Sequence, residues 1–491
     1  MPYTLTEKTG IAPDDVQHWN SVLIAVYGAS LLAFSPVCGW FADHTTTRRL
    51  PLLLGLVALA GSTVMLNIGT SIGVLIAGRL LQGASAAVVW VVGLALLVDT
   101  VGQTDVGQSM GYVSMAMSLA ILLAPLLGGI VLDNGGYNAV FAMAYALIGV
   151  DIILRLILVE KKVARRWEPP EEVADLGALS GGTGYGATIS ERPATPDGGD
   201  EDDEKKSSDL TVAAPEPAHV QDPEKAAAAS SSTNTKNNNT TTATTTTSPP
   251  PLPASPTAPQ PHTSLRYRLP PTLSLLTSRR LFASLWGTLA ASILTSSLDA
   301  VLPLFVRSTF AWKATAAGLI FLPIVIPTFL APLFGALADR STPRYLTAVG
   351  FLGACPCWVL LRLVTHDGLR QKALLCALLA LLGVCQAAIM PCIMAEITYV
   401  VASKEGRRPG LFGRKGAYAQ AYGLFNMAWA GGALVGPIWA GEVRDGAGWG
   451  TMAWSLGVLA AVSAVPAVLW CGGWVLEKRD REGSGGDGAR A

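Results

Sequence analysis

Charged side chains set inside long apolar runs are the residues of this sequence most open to chemistry. Arg79 lies in Gly78-Arg79-Leu-Leu-Gln82-Gly83, Asp299 in Ser296-Ser-Leu-Asp299-Ala-Val-Leu-Pro303, and Glu396 in Pro391-Cys-Ile-Met-Ala-Glu396-Ile-Thr398. An ionised group among apolar neighbours is costly unless it is partnered or functional, so each is a candidate for holding a proton or a charged solute. For Arg79 the competing reading is a structural guanidinium bonded to backbone carbonyls, and for Asp299 and Glu396 it is simple exposure at an interface. Asp299 would also suit a cationic amine. Asp151 and Arg155 stand four apart on one helical face, where a structural ion pair competes with a proton relay. Asp99 and Asp133 fall near the ends of apolar runs and read as caps or anchors.

The elements that must position these residues follow from composition. Of 491 residues, 51% are hydrophobic and 14% charged, against about 25% charged in soluble domains. Mean hydropathy reaches +0.42 despite a long polar stretch in the middle. Only a membrane protein fits that balance. A bilayer core about 30 Å thick needs about 20 apolar residues per helix. Five runs qualify before the polar middle, near 20–41, 50–68, 72–98, 110–132 and 139–159, and six after it, near 281–305, 316–338, 345–364, 373–401, 418–440 and 452–476.

The middle, residues 163–271, holds an acidic run, a Thr and Asn tract and a Pro-rich run. Such composition buries too little apolar surface to offset chain entropy, so it is expected to be a disordered linker between bundles at 1–162 and 272–477, with a tail at 478–491. Twenty Lys and Arg, among them Arg48, Arg279, Arg344 and Arg407, fall on the side of the linker, against six on the other, such as Arg307 and Arg370. The excess puts linker and C-terminus in the cytosol. Sequons at Asn238 and Asn239 then escape glycosylation. Equal totals of 35 basic and 35 acidic residues exclude a field that would recruit nucleic acid. All seven cysteines lie in apolar runs as small hydrophobes, so no metal site or disulfide framework is expected.

The halves repeat each other. Pro36-x-x-Gly39-x-x-Ala42-Asp43 recurs as Pro332-x-x-Gly335-x-x-Ala338-Asp339, followed by Arg48 and Arg49 in one copy and by Arg340 and Arg344 in the other. Ala124-Pro125-x-x-Gly128-Gly129 is echoed by Gly436-Pro437-x-x-Ala440-Gly441. Two helical halves joined by a linker match the parallel-repeat plan of secondary transporters. A full span precedes the Pro-Gly-Asp helix in the second half, whereas Met1-Pro2 occupies the corresponding place in the first. One span of twelve is therefore expected to be absent, as in a truncated gene model.

The Gly39–Arg49 loop and its Gly335–Arg344 partner resemble the signature between the second and third spans of major facilitator transporters, over the whole chain outside the linker. The resemblance implies an all-α polytopic membrane protein with two helical bundles, five plus six spans here, around a central cavity. It implies a gate in which Gly39 and Gly335 admit close helix approach while Asp43 and Asp339 face helix N-termini and pair with Arg48, Arg49, Arg340 and Arg344. His44 departs from the pattern, where a basic Arg is usual. Arg79 and Gln82 resemble the motif tied to proton movement in proton-coupled exporters, with Gln386 as an uncharged echo. Pro125, Gly128 and Gly129, with Gly436 and Pro437, resemble the antiporter motif.

Strings such as Asp15-Val-Gln-His-Trp19 and Asp151-Ile-Ile-Leu-Arg155 look like the fungal drug:proton antiporter branch, related to vesicular amine and tetracycline exporters. That resemblance implies a monomer in the plasma or vacuolar membrane, exporting a small amphipathic or cationic compound by alternating access, with a proton gradient as the coupling source and no cofactor. Trp90, Tyr112, Trp286, Tyr422 and Asn426 are candidates to line the cavity. The competing functions are a sugar-like facilitator or symporter and a non-transporting sensor. An enzyme is not expected, since no nucleophile and base constellation or phosphate loop is present.

Overall fold

The computed structural model describes Thr9 and residues 15–45, 47–158, 271–312, 318–412 and 416–473. The expected linker, its sequons, the C-terminal tail and the question of a first span lie outside these residues.

Every element among them is helical. The first half consists of α1 (Val16–His44), α2 (Arg49–Ile68), α3 (Ile72–Val101) and α4 (Val106–Ile157). A short α5 (Pro271–Leu276) leads into α6 (Arg279–Phe310), α7 (Leu322–Arg340), α8 (Pro343–Leu363), α9 (Leu369–Arg407) and α10 (Tyr418–Trp470). Nine of these are long and apolar enough to cross a membrane. Two cross twice: α4 turns back at Gly136, φ 73°, and α10 at Gly448, φ 85°. The left-handed region at both places is open to glycine at no steric cost, so α4 and α10 each yield the two runs expected from sequence. Eleven traverses result.

Side chains such as Phe34, Val57, Leu147, Leu333 and Val349 are between 46 and 66% exposed. In water, apolar surface on that scale would drive association, and in a bilayer it is the ordinary lipid contact. Packing between helices instead uses small residues. Gly432 lies where a Cβ would meet the Leu289 carbonyl oxygen at 2.5 Å, and the Ser292 hydroxyl donates to the Trp429 carbonyl at 2.6 Å. Ser297 donates to the Gly436 carbonyl at 2.9 Å, so α6 is stitched along the first traverse of α10.

The contacts carry a pseudo-twofold pattern. Helix α1 packs on α3 and α10, and α7 correspondingly on α9 and α4; α2 packs on α3 and α4 as α8 does on α9 and α10. Helix α6 has no counterpart in the first half among the described residues. Accordingly, a Cβ on Gly128 or Gly129 of α4 would meet nothing within 4 Å among the described residues beyond its own helix, whereas one on Gly436 would meet Ser296 and the Ile293 backbone of α6. Among the described residues, then, the Pro-Gly segment of α10 packs tightly on a neighbouring helix and that of α4 does not meet one.

Candidate functional site

Two carboxylates bridge the halves at one face, each from one half on a helix of the other. Asp43, at the end of α1, accepts from the Ala419 and Gln420 amides at 3.2 and 2.9 Å, in the first turn of α10. Asp339, at the end of α7, accepts from the Gly107 and Gln108 amides at 2.7 and 2.9 Å, in the first turn of α4. These amides are the donors that a helix start leaves without intrahelical partners, and the helix dipole adds to their attraction for an anion. Four residues earlier, glycine makes the approach possible. A Cβ on Gly39 would meet the Ala419 carbonyl oxygen at 2.5 Å, and one on Gly335 would overlap the Gly107 carbonyl.

The two copies differ in what else holds the carboxylate. Arg48 is buried at 3% exposure and spans Asp43 at 2.9 Å and Asp99 at 3.0 Å. It supplies the cation that His44 does not, since the His44 ring is engaged with the Trp40 carbonyl at 2.7 Å. Asp99, expected as a cap or anchor, thus belongs to this network. Arg344 does not pair with Asp339. Its guanidinium donates to the carbonyls of Cys471, at 2.6 Å, and Gly473, just past α10. The Tyr399 hydroxyl of α9 donates to Asp339 in its place. Arg340 is exposed, and Arg49 donates to the Leu156 carbonyl at the end of α4.

Two cavities among the described residues lie beside the candidates. One, of about 270 Å³, lies between the halves, with Tyr27 and Leu31 of α1, Trp90 of α3 and Met117 of α4 facing Phe425, Asn426 and Trp429 of α10. Asn426 donates to the buried Ser35 hydroxyl of α1 at 2.8 Å, joining the two halves beside it. The other, of about 60 Å³, is bounded by α6, α7, α8, α9 and Ser118 of α4, and its polar lining includes Asp299, Thr295, Thr328 and Gln386. Asp299 lines this cavity from an exposed position on α6 and makes no hydrogen bond or ion pair among the described residues. In the first half Arg79 donates to Gln82 at 2.8 Å, its Nε is buried without a partner, and it lies in electrostatic reach of Tyr27. Gln82 and Gln386 thus stand at matching places in the two bundles, one beside a cation and one beside a carboxylate.

Other candidates fall elsewhere. Glu396 is fully buried away from both cavities, its Oε1 taking Arg280 at 2.8 Å and the Gly472 amide at 2.7 Å, because α6 and the end of α10 close over that turn of α9. Asp151 and Arg155 lie 3.2 Å apart on a partly exposed face near the end of α4, the geometry of an i, i+4 ion pair, and neither lines the two cavities described here. Tyr112 is 53% exposed on α4, and Trp286 is half-buried near the start of α6; neither lines these cavities. Tyr422 is fully buried between Thr398, at 2.8 Å, and the Met394 carbonyl, at 3.0 Å, and packs as core beneath the cavity. Trp90 and Asn426 line the cavity between the halves. Sequence reasoning missed Tyr27, Trp429, Tyr399 and Arg280. It also missed Gly107-Gln108-x-x-Gly111, which recurs as Ala419-Gln420-x-x-Gly423 and supplies both capped termini.

The sequence profile of the Major Facilitator Superfamily matches residues 1–413 and, in a second match, 285–490. The chain belongs to the major facilitator superfamily. As a member of it, the protein is a membrane transporter. It is 30% identical to the MFS-type transporter C18.02 of Schizosaccharomyces pombe, over 91% of this chain and 84% of the relative. It is 27% identical to the MFS-type transporter ppzB of Metarhizium rileyi, over 96% and 89%. A shorter stretch, 33% of this transporter and 31% of the relative, is 30% identical to the vesicular acetylcholine transporter of Tetronarce californica. Among solved structures, the human organic anion transporter MFSD10 superposes with a TM-score of 0.57 over 91% of this chain and 83% of its own, at 16% identity, and so shares the fold.

Proposed function

We propose that this transporter exports a small amphipathic or cationic compound in exchange for protons, by rocking its two halves about the cavity between them. The observation that carries the reading is Asp299, a carboxylate with no partner among the described residues, in an otherwise largely apolar cavity within a membrane bundle. A charge so placed is functional by default. The space beside it is small, about 60 Å³, which supports reading Asp299 as a proton site rather than as the contact for an organic solute. The compound belongs in the inter-half cavity of about 270 Å³, where Tyr27, Trp90, Phe425 and Trp429 offer aromatic faces that attract an amphipathic cation. The stretch resembling a vesicular acetylcholine transporter, and a 127-residue stretch 31% identical to multidrug resistance protein 2 of Bacillus subtilis, support that substrate class. With Asp43 and Asp339 latched, the face they close is read as cytosolic, in a plasma or vacuolar membrane.

The test is transport of a fluorescent lipophilic cation in proteoliposomes under an imposed pH gradient. The wild-type chain moves the cation against the proton flow, and Asp299→Asn abolishes gradient-driven movement while leaving binding of the cation intact. Movement in the same direction as the protons, or independent of them, would overturn antiport and favour a symporter or facilitator.

A further inference from the structure

At the latched face of the second half, a recess opens that neither the latch nor the two cavities use. The start of α6 contributes Ser278, Arg279 and Arg280, the last turns of α9 contribute Lys404 and Arg407, and the end of α10 contributes Trp470. Its volume of about 370 Å³ falls within the range of about 300–1,000 Å³ of small-ligand sites.

Four of these side chains are cations, drawn from two helices. Arg280 is neutralised by Glu396 behind it at 2.8 Å, and Lys404 donates to the Ser274 carbonyl, which leaves its charge in place. Arg279 and Arg407 are exposed and form no ion pair among the described residues. Like charges held around one concavity raise a strong positive potential there, which an anion relieves. Ser278 is also the N-cap of a 32-residue helix, so the positive end of α6 points at the same place.

The flank of the recess has a different character. Leu273 and Leu276 of α5 are 48 and 40% exposed, and Phe282, one turn into α6, is 64% exposed. The Trp470 indole sits at the helix end, where amphipathic rings collect at membrane interfaces. A free anion would use the cations alone. An anion carrying apolar chains would use both surfaces.

We propose that this recess binds the phosphodiester of an anionic phospholipid headgroup, with its acyl chains running beside Leu276 and Phe282. Basic pockets between membrane helices at the cytosolic side are suited to this chemistry, and a lipid held here would tie together the ends of α6, α9 and α10.

The experiment uses the full chain, purified and reconstituted in phosphatidylcholine nanodiscs with and without phosphatidylglycerol, with lipid retention read by native mass spectrometry. The wild-type chain is expected to retain phosphatidylglycerol over phosphatidylcholine. The double variant Arg279→Gln/Arg407→Gln should weaken that retention on the order of 20-fold, at about fivefold per charge. Arg408→Gln, on the same face outside the recess, should retain it, and Arg279→Lys/Arg407→Lys should restore most of it. Equal melting of all variants in phosphatidylcholine alone separates this result from misfolding. Unchanged retention in the double variant would overturn the site. Displacement of the lipid by millimolar inorganic phosphate would overturn the lipid as its occupant in favour of free phosphate. A preference that emerges only after the acidic residues at 200–204 are neutralised would overturn it in favour of the chain's own linker.

Discussion

Glu396 shows how far a single residue can be read before its surroundings are known. Sequence marks it as a buried carboxylate and so as a coupling candidate, but its partner, Arg280, is 116 positions away, and no local pattern links them. Removing one member of a buried pair strands the other charge. Glu396→Gln is therefore expected to lower the melting temperature in detergent, by less than a fully buried pair would because Arg280 is 26% exposed, and the double variant with Arg280→Gln should recover much of it. A coupling carboxylate would behave otherwise, changing the pH dependence of transport with little change in melting. At the latch, Asp339→Asn keeps the shape but loses the charge accepted by the Gly107 and Gln108 amides. Hydrogen bonds to a charged group are worth about 1.5–3 kcal/mol each. The variant should lengthen distances between spin labels placed on α4 and α7 at that face. The Gly-Asp spacing of the latch was legible in sequence because both copies are local and repeat. Tyr399, which replaces the expected arginine, was not, because a tyrosine in an apolar run looks like any core aromatic.

At the scale of the element, glycines with similar sequence surroundings divide by what faces them. Gly335 lies against the Gly107 backbone, so Gly335→Ala should force α7 off α4 and lower the melting temperature, with the label distances rising as for Asp339→Asn. Gly128 faces open space inside a helix. There Gly128→Ala is expected to stabilise by about 0.5–1 kcal/mol, through the cost of glycine in a helix interior. The turn at Gly448, with φ 85° and ψ 168°, lies in a region that other residues enter only with strain. Gly448→Ala should cost about 1–3 kcal/mol, seen as earlier loss of helicity on heating. Helix number and approximate bounds could be read from apolar run length alone, because the bilayer sets that length. Which face of each helix meets a neighbour could not, since hydropathy in these runs is high all round. Tyr112 and Tyr422 illustrate this, one half-exposed and the other fully buried, at similar distances from their helix starts.

For the whole molecule, the repeat sets the architecture more tightly than the sequence motifs alone indicate. From Gly107 to Ala419 and from Gly136 to Gly448 the offset is the same 312 positions, so the first traverse and turn of α4 and α10 correspond without a gap. Corresponding helices make corresponding contacts, and the latch follows the same symmetry, each half lending a carboxylate to the other. The exchange bears on how the protein is made. Residues 107 and 339 are 232 apart, and both ends of that contact lie far from the contact between Asp43 and Gln420, which spans 377. When the first half leaves the ribosome, the α4 terminus has its amides but not yet their anion, and Asp43 has its charge but no helix to meet. Neither half carries the parts to finish itself. Assembly of this face must wait for the last third of translation, and the order of synthesis becomes part of how the two bundles come to recognise each other.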